Sequence, residues 1–184
     1  ANLENDDGRG YEFGYFEDDR TFVSLGETDE TTITMEPMSR GGIQVIITGT
    51  DQVLWETEED TLAVMPQGRD PVTWFRGNRY RGGFEYTVSG GGLQVVNVVD
   101  LEDYVKGVLP YEMSGDWELE ALKAQAVCAR TFACLNTKHL SAYGFDVCSS
   151  TDCQVYNGVG NATSATDRAV EETAGEYALY DGTV

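Results

Sequence analysis

The chain has 184 residues, a mass of 20.2 kDa and a net charge of −20 at pH 7. This length allows one large domain or two small ones, and either can bury a core without disulfides or metals. The charge disfavours binding to nucleic acid or to an anionic membrane, because both partners need a basic surface. The sequence has no run of about 18 apolar residues and opens with no signal peptide. We therefore expect no membrane span and, if the protein is exported, a mature or trimmed form.

The first 75 residues are predicted to form a β-rich N-terminal region. Short apolar segments recur about every eight to twelve residues between clusters of Gly, Pro, Asp or Glu, a pattern typical of small all-β units. We expect strands within residues 11–15, 22–25, 31–35, 41–49, 52–56 and 61–65. The acidic residues here are most simply explained as lying on solvent-exposed outer faces of the strands. No residue of this region is a candidate for catalysis.

A β-hairpin is predicted within residues 76–99. Apolar residues alternate on its first arm, residues 89–92 form the turn, and residues 93–99 make a mostly apolar second arm. Four of the chain's twelve basic residues lie nearby and form a local positive patch: Arg69, Arg76, Arg79 and Arg81. This patch could approach an anionic glycan, but pairing with the protein's own acidic residues is favoured.

Two helices are predicted after the hairpin. The first is capped by Asp100 and ends at Gly107, and Pro110 then starts a turn. The second begins at Ser114 or Asp116 and is long and rich in alanine. Its apolar stripe, at spacings of three and four, comprises Leu119, Leu122, Ala126, Ala129 and Ala133. Polar side chains that border this stripe could line a cleft, with Lys123 and Arg130 on one edge and Gln125 on the other.

Glu112 lies between the two predicted helices and is the candidate for proton transfer. Four apolar residues are close to it in sequence, namely Val108, Leu109, Met113 and Trp117. We therefore expect an apolar, partly dehydrated setting, which raises the pKa of a carboxyl group and lets one Glu donate a proton at neutral pH. The alternative, favoured by sequence alone, is an ordinary surface glutamate in a loop.

Four separated blocks of the sequence resemble, in the same order, blocks of the SpoIID/LytB family. They read GVLPYEM, EALKAQAVCARTFA, GFDVCSSTDCQVYNG and AVEETAGEYALYDG, and the resemblance runs from about Tyr80 to the C-terminus. Family members of the SpoIID type are lytic transglycosylases that cut peptidoglycan glycan strands in sporulation and wall remodelling. The resemblance implies this activity for the chain.

The resemblance also implies roles for individual residues. The catalytic glutamate of the family falls in the block matched by residues 110–113 and corresponds to Glu112. The candidate glycan contacts match polar residues of the family's helix and its QVY block, and they are Lys123, Gln125, Arg130, Gln154 and Tyr156. Two of them have structural alternatives, because Arg130 could hold loop carbonyls or Glu112, and Tyr156 could belong to the core.

A second constellation contains His139, Cys148 and Cys153 with the spacing H-x8-C-x4-C. The spacing is looser than that of a zinc finger but suits a His/Cys zinc site, and some members of the resembled family carry such a zinc in this region. A fourth coordination position would remain for water, substrate or Cys134. The alternatives are a disulfide, from Cys148 to Cys153 or from helix to loop, and buried free thiols. We expect the zinc to be structural and to hold the loop near the cleft.

The sequence thus predicts an α+β protein. A β-rich region at residues 1–75, which could share a domain with the rest, precedes a SpoIID-like core at residues 76–184 with antiparallel strands and one long alanine-rich helix. Family members continue beyond the strand matched by residues 176–180, so we expect the C-terminal portion of the core to be missing from this sequence.

The predicted function is a peptidoglycan lytic transglycosylase that leaves 1,6-anhydro-MurNAc ends. It would act outside the cytoplasmic membrane of a Gram-positive, spore-forming bacterium, with glycan strands and other sporulation or wall-remodelling proteins as partners. One rival is a non-catalytic wall-binding or scaffolding module of the same fold. Another is a true hydrolase, whose second carboxylate would be Asp116, Asp146 or Asp152.

Overall fold

The structure is a computed structural model that describes residues 1–136 and 139–184. The described residues contain eleven strands and four helices, which confirms the predicted α+β class. They form two compact units, Ala1–Val99 and Asp100–Val184. The strands all lie in the first unit and the helices in the second. No helix among the described residues is long and apolar enough to cross a membrane.

The first unit consists of two antiparallel sheets. The strands are β1 Asn2–Asn5, β2 Tyr11–Phe16, β3 Phe22–Thr28, β4 Thr32–Pro37, β5 Ile43–Ile47, β6 Val53–Thr57, β7 Thr61–Pro66, β8 Thr73–Phe75, β9 Asn78–Tyr80, β10 Gly83–Ser89 and β11 Gly92–Val98. One sheet has the order β6-β5-β4-β1-β8-β9 and the other the order β11-β10-β7-β2-β3. The predicted hairpin is β10 and β11, which pair from Gly83 and Val98 to the turn.

The core of the first unit lies between the two sheets. Alternation along the strands sends Ile33 and Met35 inward from one sheet and Phe84 and Tyr86 inward from the other, and each is at most 1% exposed. These residues belong to one hydrophobic cluster to which both sheets contribute. The period of two in the sequence therefore sets which face of each strand is buried. The predicted boundary at residues 75 and 76 falls inside this unit, because the hairpin is part of its sheet.

Two of the four arginines of the predicted positive patch pair with acidic residues of the first unit. The guanidinium of Arg79 donates to the carboxylate of Asp6, with a shortest nitrogen-to-oxygen distance of 3.0 Å, and Arg81 pairs with Asp70. The guanidinium carbon of Arg79 also lies 5.6 Å from the centre of the Trp74 ring. Internal pairing, the favoured alternative, is what the structure has at these two positions, so we assign the patch no glycan.

The second unit is helical. Its helices are α1 Leu101–Glu112, α2 Leu119–Leu135, α3 Leu140–Tyr143 and α4 Ser164–Glu172, and α1, α2 and α4 pack on one another. The Asp100 side chain accepts a hydrogen bond of 2.8 Å from the backbone N–H of Glu102, as expected of an N-cap. The α2 stripe is also confirmed at its centre, where Leu122, Ala126 and Ala129 are buried.

The predicted end of α1 at Gly107 is wrong, because the helix continues through Pro110 to Glu112. An internal proline costs a helix about 3 kcal/mol. Val105, Val108 and Leu109 are fully buried, and burying such a side chain contributes about 1.5–3 kcal/mol. Packing of these three residues therefore outweighs the cost of the proline. The second helix starts later than predicted, at Leu119, with Glu118 as its N-cap.

Candidate active site and metal site

Glu112 is the last residue of α1 and its side chain is exposed. The apolar, dehydrated setting expected from the sequence is not found. Val108 and Leu109 turn into the helical core, and Trp117 in the following turn is 60% exposed instead of covering the carboxylate. Glu112 is exposed because it lies beyond the last packed turn of the helix. An open carboxylate at a helix end can be reached by a long polymer such as a glycan.

Tyr104 links α1 to the loop that follows α3. Its hydroxyl donates a hydrogen bond of 3.2 Å to Oε1 of Gln154, and its ring centre lies 4.9 Å from that of Tyr156. Gln154 is 8% exposed and Tyr156 7% exposed. The two predicted glycan contacts therefore pack against α1 in this structure, so Tyr156 takes the core position that was its structural alternative.

Burial raises the pKa of Tyr104, and the charges of Cys153, Cys148 and Glu112 act in the same direction. Tyr104 therefore lies close enough to interact electrostatically with both the candidate catalytic carboxylate and the candidate metal ligands. Sequence reasoning missed this residue. A signal was present, because Tyr104 and Glu112 are eight residues apart on one helix and so lie near the same face.

Gly107 makes the contact between α1 and Tyr156 possible. A Cβ atom at this position would lie 2.4 Å from Cε2 of the Tyr156 ring. Replacing glycine by alanine inside a helix normally stabilises by about 1 kcal/mol, whereas overpacking a core costs about 1–3 kcal/mol. We expect the clash to exceed this gain, so that Gly107→Ala lowers the free energy of unfolding by up to about 2 kcal/mol.

Urea unfolding followed by circular dichroism measures this change. Gly160→Ala is the matched control, since a Cβ there meets nothing within 4 Å, and it should leave the unfolding midpoint unchanged. Equal midpoints for both variants would show that Tyr156 is not held against α1.

The prediction that Arg130 contacts the glycan does not agree with the structure. Its side chain has no exposed surface, and its guanidinium donates to both carboxylate oxygens of Glu102, at 2.8 Å from Nε and 2.6 Å from Nη2. It also donates to the backbone carbonyls of Glu176, at 3.1 Å, and of Val170, at 3.4 Å. A buried group with its donors engaged in this way cannot touch a sugar. Arg130 instead ties α1, α2 and the segment after α4 together. Its structural alternative named carbonyls or Glu112 as partners, and the acid that it binds is Glu102.

Lys123 and Gln125 are both half-buried on α2. The Lys123 ammonium lies 2.6 Å from Glu172 on α4 and 2.9 Å from Glu120. Hydrogen bonds to Glu172 and then to Glu120 raise the pKa of Lys123. No hydrogen bond or ion pair joins Glu112 to Lys123, Gln125 or Arg130 within residues 1–136 and 139–184. These three predicted contacts are therefore not tied directly to the carboxylate in this structure.

The predicted metal ligands do come together. His139, Cys148 and Cys153 form a group with Asp152, and one donor atom from each lies within 4.8 Å of the others. Among the described residues, Nε2 of His139 is buried and lacks a hydrogen-bond partner. An orphaned imidazole nitrogen beside two thiols and a carboxylate is a donor set that suits zinc. The residues therefore fit the predicted metal.

The two cysteines of this group are thiols in the structure. Their Sγ atoms are 2.8 Å apart, and the backbone N–H of Cys148 donates to Sγ of Cys153 at 3.2 Å. Burial raises the pKa of the Cys148 thiol, but its hydrogen bonds with Cys153 and Ser150 outweigh that effect, so this pKa lies below the ordinary value. A lowered pKa favours the thiolate, which is the form that binds metal.

The helical cysteines lie outside this group. Cys128 and Cys134 are exposed thiols on α2, and Cys134 interacts with Tyr177. The donor that accompanies the predicted three ligands is Asp152 rather than Cys134. No sequence pattern indicated this ligand, because Asp152 directly precedes Cys153 and resembles any other acidic residue of a loop.

Comparison with known proteins identifies the family. The family described as Stage II sporulation protein, SpoIID, matches residues 89–180, which is half of the chain. The chain belongs to the SpoIID family. The matched region contains Glu112, Arg130 and all four donors of the metal group.

Two curated relatives are similar to the chain. An uncharacterized protein of Brachyspira hyodysenteriae is 38% identical over 160 residues, which cover 85% of this chain and 40% of the relative. The amidase enhancer of Bacillus subtilis is 44% identical over 80 residues, which cover 44% of this chain and 10% of the relative. The chain thus spans less than half the length of either relative.

Proposed function

We propose that the chain carries the catalytic carboxylate of a peptidoglycan lytic transglycosylase. The observation that carries this proposal is the position of Glu112, an open carboxylate at the end of α1 inside the residues matched by the SpoIID family. Membership of that family supports a function connected with the bacterial cell wall. The similarity to an amidase enhancer supports the same connection. Because peptidoglycan lies outside the cytoplasmic membrane, we place the protein there.

A single carboxyl group is sufficient for this reaction. Glu112, as the acid, gives its proton to the oxygen between MurNAc and GlcNAc while the bond from that oxygen to C1 of MurNAc breaks. The resulting carboxylate takes the proton of the C6 hydroxyl of MurNAc as O6 bonds to C1. The ring closes to 1,6-anhydro-MurNAc, no water is consumed, and Glu112 is again protonated. Two carboxylates, as in ordinary glycoside hydrolases, are not needed.

The glycan would be oriented by groups on the second unit. Lys123 and Gln125 remain the proposed contacts on α2, since both are partly exposed. Gln154, Tyr156 and Arg130 would act indirectly, by fixing α1 and the loop against each other through the contacts described above. Other sporulation or wall-remodelling proteins are proposed as partners on the strength of the family alone.

Release of soluble fragments from purified, peptide-free glycan strands tests the enzyme against its main rival. A transglycosylase releases fragments over time, whereas a scaffolding module sediments with the strands and releases none. Binding without release would therefore reject the enzymatic function and favour the scaffold.

We also propose that His139, Cys148 and Cys153 bind a structural zinc ion. The support is the convergence of these donors and the orphaned, buried Nε2 of His139. Zinc would tie the loop that carries Gln154 and Tyr156 to the short helix α3, and it takes no part in the proposed proton transfers.

Elemental analysis of protein purified without added metal should find about one zinc per chain, the stoichiometry of a single four-coordinate site. Protein without zinc, whose cysteines either react as thiols or prove to be disulfide-bonded, would contradict this proposal.

A further inference from the structure

Four donor side chains meet in the region after α2, one more than the proposed zinc site uses. With zinc-to-ligand bonds of about 2.0–2.3 Å, the ligand atoms of a tetrahedral site lie about 3.3–3.8 Å apart. Nε2 of His139 and Oδ2 of Asp152 are 3.7 Å apart. A nitrogen and an oxygen bound to one tetrahedral zinc ion lie about 3.3–3.5 Å apart, so these two atoms need to approach by only about 0.2 Å to become ligands of one ion.

The orientation of the His139 ring indicates whether Asp152 would bind the metal itself or only support the histidine that binds it. Carboxylates that support a metal-bound histidine accept a hydrogen bond from the ring nitrogen that does not bind the metal. Asp152 instead faces Nε2, the buried nitrogen without a hydrogen-bond partner among the described residues. The ring is held in this orientation by Phe145 and Tyr143, whose centres lie 5.3 Å and 5.8 Å from its own. The carboxylate is thus on the side of the ring where the metal would be.

The turn between the two cysteines can supply adjacent ligands. The backbone N–H of Cys153 donates to the carbonyl of Ser150 at 3.0 Å, and the N–H of Asp152 approaches the Ser150 hydroxyl at 3.4 Å. The sulfurs, 2.8 Å apart, must separate by about 1 Å to reach the spacing of two thiolates on zinc. Ser149 and Ser150 between them are exposed, so solvent-facing backbone can absorb part of this adjustment.

We infer that the Asp152 carboxylate is the fourth ligand and closes the zinc site. The inference rests on the proposed zinc site and goes beyond it, because three ligands alone would leave a position for water or substrate. Four protein ligands are the hallmark of a structural site, whereas catalytic sites keep one position open. A closed site would bind no part of the glycan, and its role would be confined to fixing the loop.

The test compares Asp152→Ala with Asp146→Ala, an exposed acid of the same loop outside the donor group. Loss of an outer-shell partner typically weakens metal binding about 10–100-fold, and loss of a ligand should cost at least as much. We expect zinc affinity, measured by competition with a chromogenic chelator, to fall at least about tenfold in Asp152→Ala. The Asp146→Ala variant should match the wild type.

Cobalt substitution reports directly on the fourth position. Azide should leave the absorption spectrum of the cobalt-loaded wild type unchanged and should alter that of cobalt-loaded Asp152→Ala, where a position has opened. Azide binding to both proteins, or equal zinc affinities of the two variants, would overturn the inference, as would a wild type that binds neither metal. These readouts are independent of glycan cleavage, so failure of the transglycosylase proposal would leave them intact.

Discussion

The Glu112→Gln variant is expected to cleave glycan strands about 10²–10⁴-fold more slowly than the wild type, the usual contribution of a positioned general acid. Glutamine keeps the shape of the side chain but can neither donate the proton to the glycosidic oxygen nor accept one from the C6 hydroxyl. Because Glu112 is exposed and ends its helix, the substitution should not disturb folding. Sedimentation with glycan strands should remain at the wild-type level.

Glu118→Gln is the matched control for this prediction. Glu118 is an exposed glutamate in the same connection between α1 and α2, and its side chain makes no capping hydrogen bond. Its rate of fragment release should equal that of the wild type. Equal rates of fragment release for Glu112→Gln and the wild type would show that Glu112 takes no part in the proton transfers. If Asp116→Asn slowed the reaction as much as Glu112→Gln, the two-carboxylate hydrolase would become the better description.

The Arg130→Met variant is expected to lose about 3 kcal/mol of folding stability, the low end of the range for breaking a buried ion pair. The Arg130 side chain is fully buried, while that of Glu102 is 29% exposed, so water offsets part of the loss. Methionine fills much of the volume but leaves Glu102 without its bidentate partner. It also leaves the carbonyls of Val170 and Glu176 without a donor that they have in the wild type.

Urea unfolding followed by far-ultraviolet circular dichroism measures this loss, because the helices of the described residues all lie in the second unit. Arg168→Met is the control, since Arg168 pairs with Glu172 on the exposed surface of α4 and surface pairs contribute little. The double variant Glu102→Met with Arg130→Met should recover part of the stability, because no unpaired charge remains. Equal unfolding midpoints for Arg130→Met and Arg168→Met would show that Arg130 is not a structural residue.

Local patterns predicted much of the fold. Strand alternation around Phe84 and Tyr86 gave the hairpin, and the spacing of Leu122, Ala126 and Ala129 gave the buried face of α2. The extent of α1 could not be obtained in this way, because Gly107 and Pro110 are local helix breakers. Their effect is overridden by long-range packing against α2, α4 and Tyr156, which no local pattern records.

The candidate site was predictable where its chemistry is distinctive. A histidine and two cysteines stand out in any sequence, and they converge in the structure. Arg130 and Asp152 were not predictable, since a polar residue at the edge of a helix stripe can face solvent or a buried acid. Which one occurs depends on the partner. The partner of Arg130 is Glu102, 28 residues away, and only the folded chain brings them together.

The end group of the cleavage product tests the central claim most directly. Purified glycan strands are incubated with the protein, and the new ends are analysed by mass spectrometry. Attack by the C6 hydroxyl leaves 1,6-anhydro-MurNAc, which is lighter by one water than a hydrated reducing end. We predict anhydro ends with the wild type and few new ends of either kind with Glu112→Gln. Hydrated reducing ends made by the wild type would contradict the single-carboxylate mechanism.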